Sequence, residues 1–204
     1  VKAARSEAAA EQLYAQAAKL FEQKEHFDLK PLVAKLKDDY PNTRPVTDEK
    51  RKPSFAEMDE ATRNLGKFLI VRQDGKGDFN TIQAAIDAAP AKSLIEVRDS
   101  GTYYEKLIIP AGAEGLVLRA RKACWPVVAS RMPDKRYANL VTIGAPDVTA
   151  EHLIIAQCAP PEGPHYENDA LSVRGRGFAM RLCLVFAHNS YGVHVWGASA
   201  VRAE

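Results

Sequence analysis

Cysteine is scarce in this sequence, and what there is lies scattered. Cys124, Cys158 and Cys183 are odd in number, and no CxxC or Cys/His spacing accompanies them. Neither a disulfide framework nor a zinc module is indicated, and all three read as buried thiols. No charge of one sign dominates. The 28 basic and 26 acidic residues leave a net +2, which points to no obligate nucleic-acid or membrane partner. No apolar run is long enough to span a bilayer, and no secretory signal stands in the given residues. The compartment is therefore unconstrained. The first residue is Val1 rather than Met, which leaves room for residues upstream. What is present, 204 residues at 46% hydrophobic and 26% charged, suffices for one sizeable core or two small ones.

The first third of the chain has helical texture. From Ala4 to Lys24 it is rich in Ala, Glu, Gln and Lys, with Leu13, Ala17, Leu20 and Phe21 forming an apolar stripe. A second helix is predicted to start near Asp28, with Pro31 in its first turn, and to end near Tyr40-Pro41-Asn42. Together these make a hairpin over 4–40 that resembles one tetratricopeptide-type repeat, with no second copy in the chain. Residues 42–53 read as a polar, proline-bearing linker. Ser54-Phe55-Ala56-Glu57 has capping-box spacing and opens a short helix over 54–65.

From Phe68 onward short β-rich runs replace helices, the exception being Thr81–Ala89 with Ile82, Ala85, Ile86 and Ala89 on one face. Apolar pairs recur as Ile95/Val97, Leu116/Leu118, Val141/Ile143, Leu171/Val173 and Val193/Val195. A recurrence of about twenty to thirty residues with alternation inside each run predicts a solenoid stacked strand on strand. A second row is expected through Leu107/Ile109, Leu153/Ile155 and Leu182/Leu184, with Cys158–His165 a loop insertion.

The stretch Val71–Pro110, VRQDGKGDFNTIQAAIDAAPAKSLIEVRDSGTYYEKLIIP, strongly resembles the opening of pectinesterase-like and pectin-lyase-like domains. The residues that carry the likeness include Asp74, Gly75, Gly77, Asp78, Phe79, Thr81, Ile82, Gln83, Asp87 and Pro90, then Gly101, Thr102, Tyr103, Glu105 and Lys106. The resemblance implies a mainly β fold: a right-handed parallel β-helix over 67–204, its first coil capped by the Thr81–Ala89 helix, after a helical segment over 1–66. Such a cap has a physical purpose, since the open end of a β-helix exposes apolar side chains and strand edges. No equivalent closes the other end, so that end is expected to continue or to be covered.

The same resemblance implies a catalytic set that this chain is expected to lack. Pectinesterases carry aspartates and glutamines on the outer face of successive coils, one aspartate attacking the ester and another donating a proton. The words matching the first glutamine region are Glu167-Asn168-Asp169-Ala170-Leu171; those matching the next are His188-Asn189-Ser190-Tyr191-Gly192-Val193-His194. Ser190 then stands at the glutamine position and Tyr191 at the aspartate position. A lyase would need a calcium site and a basic proton abstractor. The acidic group Glu162, Glu167 and Asp169 has no clear partner set. His165, His188 and His194 share too little local spacing for a metal site, so no metal and no cofactor is expected.

The ladder assigns outward positions. Arg98, Arg119, Gly144, Arg174 and Trp196 follow the apolar pairs, and Glu96, Val117, Thr142, Ser172 and His194 sit between pair members. Arginine offers a fork to carboxylate or sulfate, and tryptophan a face for a sugar or a cation. The expected ligand site is Arg119, Arg174, His194 and Trp196, flanked by His188 and Tyr191, and the expected ligand is an acidic polysaccharide. The other reading is a structural or protein-interaction module, docking through the N-terminal helices or the open C-terminal coil.

Overall fold

The structure is a computed structural model that describes residues 2–130, 139–158, 169–188, 191–196 and 201–203. The chain divides into two compact units, residues 1–65 and 66–204. The expected loop insertion, apart from Cys158, lies outside the described residues, as do His165, Glu162, Glu167 and Ser190.

The first unit is helical. α1 (Lys2–Glu22) and α2 (His26–Asp39) pack together, and α2 packs on α4 (Phe55–Arg63). α2 begins two residues before Asp28, and the expected linker contains a one-turn helix, α3 (Arg44–Thr47), whose Pro45 fixes a helical φ in its first turn. Ala10, Tyr14, Ala17, Leu29, Val33, Leu36 and Met58 form the core. The Arg51 guanidinium lies 4.9 Å from the Tyr14 ring centre while the Tyr14 hydroxyl donates to the Pro53 carbonyl. α4 starts with the expected capping box: Glu57 N donates to Ser54 Oγ at 3.2 Å and Ser54 N to Glu57 Oε2 at 2.6 Å. The bond from Ser54 N, joined by bonds from the Lys52 ammonium and the Ser54 hydroxyl, favours the charged form and holds the Glu57 carboxyl at about 2.

The second unit is a parallel β-solenoid with three sheets. Sheet A stacks β1 (Phe68–Val71), β2 (Leu94–Val97), β5 (Val117–Ala120), β8 (Thr149–Glu151), β11 (Phe178–Arg181) and β14 (Val201–Ala203). Sheet B stacks β3 (Thr102–Tyr103), β6 (Val127–Ala129), β9 (Ile154–Cys158) and β12 (Leu184–His188). Sheet C stacks β4 (Leu107–Ile109), β7 (Val141–Ile143), β10 (Leu171–Val173) and β13 (Val193–Val195). Each coil thus visits A, B and C in turn. Sheet A passes to sheet B through a corner residue with positive φ, His152 at 56° and Leu182 at 50° in successive coils. Alternate side chains fill one core that includes Ile95, Leu107, Ile109, Leu118, Val128, Val141, Ile143, Ile155, Leu171, Val173 and Phe178.

The two expected rows are redistributed by this topology. Ile95 pairs with Leu118 in sheet A, whereas Val141, Leu171 and Val193 stack on Leu107 in sheet C. In the second row Leu107 belongs to sheet C, and in sheet B Ile155 pairs with Val185 while Leu184 pairs with Ile154. The reason is geometric. Every sheet of a solenoid repeats at the same coil length, so spacing reveals a coil without naming the sheet. Strands β3, β6, β8 and β11 are short or carry Thr, Glu, Ala and Arg, and were not anticipated. The three cysteines are half-buried rather than buried.

The motif residues build the end cap. α5 (Ile82–Ala88) is N-capped by Thr81, whose hydroxyl accepts from Ala84 N. The Glu105 carboxylate accepts from Ile82 N at 3.1 Å and Gln83 N at 2.9 Å, adding negative charge at the helix start. The Gln83 side chain clasps the β4 backbone, accepting from Ile108 N and donating to its carbonyl. Asp78 accepts from Ile70 N at 2.8 Å. Ile82, Ala85 and Ile86 enter the core.

Coil stacking leaves no room at Gly175, where a Cβ would stand 1.8 Å from the Ala145 carbonyl oxygen. Gly175→Ala must push adjacent coils apart. It is expected to cost at least ~2 kcal/mol, read as a lower denaturation midpoint; an unchanged midpoint would contradict this packing.

Candidate functional site

The β4–β7–β10–β13 register sets an outward column on sheet C: Ile108, Thr142, Ser172 and His194. Neighbouring strands lie about 4.8 Å apart, so these side chains are neighbours. Two residues before each strand, at the corner leading into the sheet, stand Asn139, Asp169 and Tyr191 in successive coils, and the Asn139 side-chain oxygen accepts from Asp169 N at 3.0 Å. One residue beyond the strands stand Gly144, Arg174 and Trp196.

Five of these residues converge. His194 Nδ1 lies 3.1 Å from Asp169 Oδ2. The His194 and Trp196 rings stack with centres 4.3 Å apart, and Trp196 Nε1 donates to Ser172 Oγ at 2.9 Å. The Arg174 guanidinium sits 5.5 Å from the Trp196 ring centre, in cation–π range. Tyr191 lies at the edge, its ring centre 6.0 Å from that of His194. Trp196 covers Ser172, which explains why an outward serine is fully buried. Trp196 and Tyr191 themselves stay exposed, and the His194 side chain is 32% exposed.

Asp169 is the unusual member. Its relative exposure is 0%, and its Oδ1 has no hydrogen-bond partner among the described residues. Burial pushes the carboxyl above the usual carboxylate range, against the pull of His194, Ser172 and Arg174. A group that is easier to protonate when folded than when unfolded contributes stability at low pH that is lost as pH rises through its folded value. Asp169 thus adds less to stability at neutral pH than in acid.

The sequence-predicted residues divide. Arg174, His194 and Trp196 come together on sheet C with Tyr191 beside them. His188 ends β12 in sheet B, exposed. Arg119 lies in sheet A, where the register aligns Glu96, Arg119, Glu151 and Arg181. Arg119 Nη2 bonds Glu96 Oε2 at 3.1 Å, and Arg181 bonds Glu151 at 3.0 Å. Arg98 also bonds Glu96, at 2.7 Å. Sheet A therefore carries a self-neutralising ladder of alternating charge, and the anticipated single arginine row does not exist. Asp169 and Ser172 went unchosen as site residues. The available signal was a charged residue directly before the buried run Ala170–Val173. Among the described residues no group of three or more His, Cys, Asp or Glu could hold a metal ion, and no helix is long and apolar enough to cross a membrane.

Asp169→Asn keeps the shape and removes the buried charge. Stability at neutral pH is expected to be unchanged or higher, with the gain fading on acidification; a fall in the neutral-pH denaturation midpoint would make Asp169 a structural strut instead.

No protein-family model matches the chain. A protein of Arabidopsis thaliana described as probable pectinesterase 49 is 28% identical in an alignment 126 residues long that covers 58% of this chain and 35% of the relative. The chain thus spans about a third of that relative's length. This distant likeness and the capped three-sheet solenoid together fit a pectinesterase-like, pectin-lyase-like parallel β-helix.

Proposed function

We propose that the outer face of sheet C binds an acidic polysaccharide, and that this chain is a carbohydrate-binding module of a carbohydrate-processing-like β-helix. The observation that carries this reading is the stack of Arg174, Trp196 and His194 over Ser172 and Asp169. It combines a cation for a carboxylate or sulfate with an aromatic surface for a sugar ring. The likeness to a protein named as a pectinesterase supports a polysaccharide as the ligand class. Neither catalytic chemistry nor a cofactor is assigned to these residues.

Calorimetric titration with oligogalacturonate, and with a neutral oligosaccharide of equal length, tests the reading. Arg174→Ala and Trp196→Ala are each expected to weaken oligogalacturonate binding by at least about fivefold, the loss of one charge or stacking contact. Arg119→Ala, on sheet A, leaves it unchanged. Undiminished binding in Arg174→Ala overturns the proposal. Absence of binding to any glycan favours a protein-interaction module, for which the exposed apolar Leu184 and Phe186 on sheet B offer a contact.

A further inference from the structure

Two contacts hold the His194 ring, and they fix different things. Stacking on Trp196, with centres 4.3 Å apart and planes 26° from parallel, sets the plane of the ring. It does not set which edge faces inward. A half-turn about the last side-chain torsion exchanges Nδ1 with Cδ2 and Nε2 with Cε1, and leaves the plane where it was. The hydrogen bond breaks that degeneracy. With Asp169 Oδ2 3.1 Å from Nδ1, the half-turn would set a carbon against a fully buried carboxyl.

Asp169 is itself held firmly, since both its backbone groups are bound to the preceding coil. Its N–H donates to Asn139 Oδ1 at 3.0 Å, and its carbonyl accepts from Leu140 N at 2.9 Å. The height of His194 is fixed in turn by its register with Ser172. The other ring nitrogen is left over. Nε2 has no hydrogen-bond partner among the described residues and is not buried, so it meets solvent beside the exposed rings of Trp196 and Tyr191.

We propose that Asp169 is a positioning residue for saccharide recognition: through Nδ1 it turns the His194 ring so that Nε2 meets a hydroxyl group of the bound saccharide. This inference rests on the reading of sheet C as a saccharide face. A hydroxyl is the group that fits, because it both donates and accepts. It therefore bonds Nε2 whether or not that nitrogen carries a proton. A hydroxyl also has no net charge for salt to screen. No covalent bond is made or broken.

The test is calorimetric titration of the full chain with oligogalacturonate at low and at high salt. Asp169→Leu keeps the bulk and makes no hydrogen bond; His194→Phe keeps a flat ring against Trp196 and has no nitrogen. Each is expected to weaken binding about fivefold, the weight of one neutral hydrogen bond, by the same factor at both salt levels. The double variant should bind no more weakly than either single one, because the two residues serve one contact. Asp169→Asn, whose side-chain oxygen still accepts from the ring, should regain most of what Asp169→Leu loses. Denaturation midpoints taken alongside identify variants that fold, and Asp169→Ala replaces Asp169→Leu if the latter does not. Undiminished binding in His194→Phe, or in a folded Asp169→Leu, overturns the positioning role and leaves the saccharide reading standing. Losses that add in the double variant overturn it as well, since a merely structural Asp169 would act apart from His194. A His194→Phe loss that shrinks at high salt points to a charged group in place of a hydroxyl and overturns it too. Absence of binding by the unaltered chain overturns both.

Discussion

In-register parallel stacking of the coils is the constraint on which the second unit depends. Each strand contributes only two to five residues, too few to be stable alone. Hydrogen bonds to the coils on either side, and the apolar column they enforce inward, make those short runs into a fold. The same stacking dictates what appears outside. A residue placed between two inward ones must point outward, and its neighbours above and below are fixed by register. Function on such a scaffold is therefore a matter of which residues share a column.

The outward columns of sheets A and C use that rule in opposite ways. Sheet A alternates Glu96, Arg119, Glu151 and Arg181, so each charge meets its opposite one coil away. The ladder fixes register, since a slip of one residue would turn charges into the core, and it leaves little net charge for a ligand. Among the described residues the sheet C column carries no such ladder of alternating charge. Ile108, Thr142, Ser172 and His194 give way to aromatic and cationic side chains at the last described coil. There the fully buried Asp169 carboxylate meets an imidazole.

Much of the fold was legible because its signals are local. The capping box at Ser54 and Glu57 and the Thr81 cap are read from a few adjacent residues, and each closes as its chemistry requires. The motif from Asp74 to Lys106 turned out to be an end-cap wiring scheme, with Glu105 and Gln83 tying α5 to the first coil. What was not legible depends on long-range register. Spacing alone cannot separate three sheets that share one repeat. Arg119 and Arg174 therefore seemed equivalent, though one is locked to Glu96 and the other lies over Trp196. Asp169 was inconspicuous for the same reason: its partner is 25 residues away.

The claim at the centre of this account is that sheet C, and not sheet A, is the ligand face. Chemical-shift mapping of the isotopically labelled chain with oligogalacturonate tests it most directly. Perturbations concentrated on Thr142, Asp169, Arg174, Tyr191, His194 and Trp196, with Glu96, Arg119, Glu151 and Arg181 silent, are what the account predicts. Perturbations centred on the sheet A ladder, or spread evenly over both faces, would contradict it.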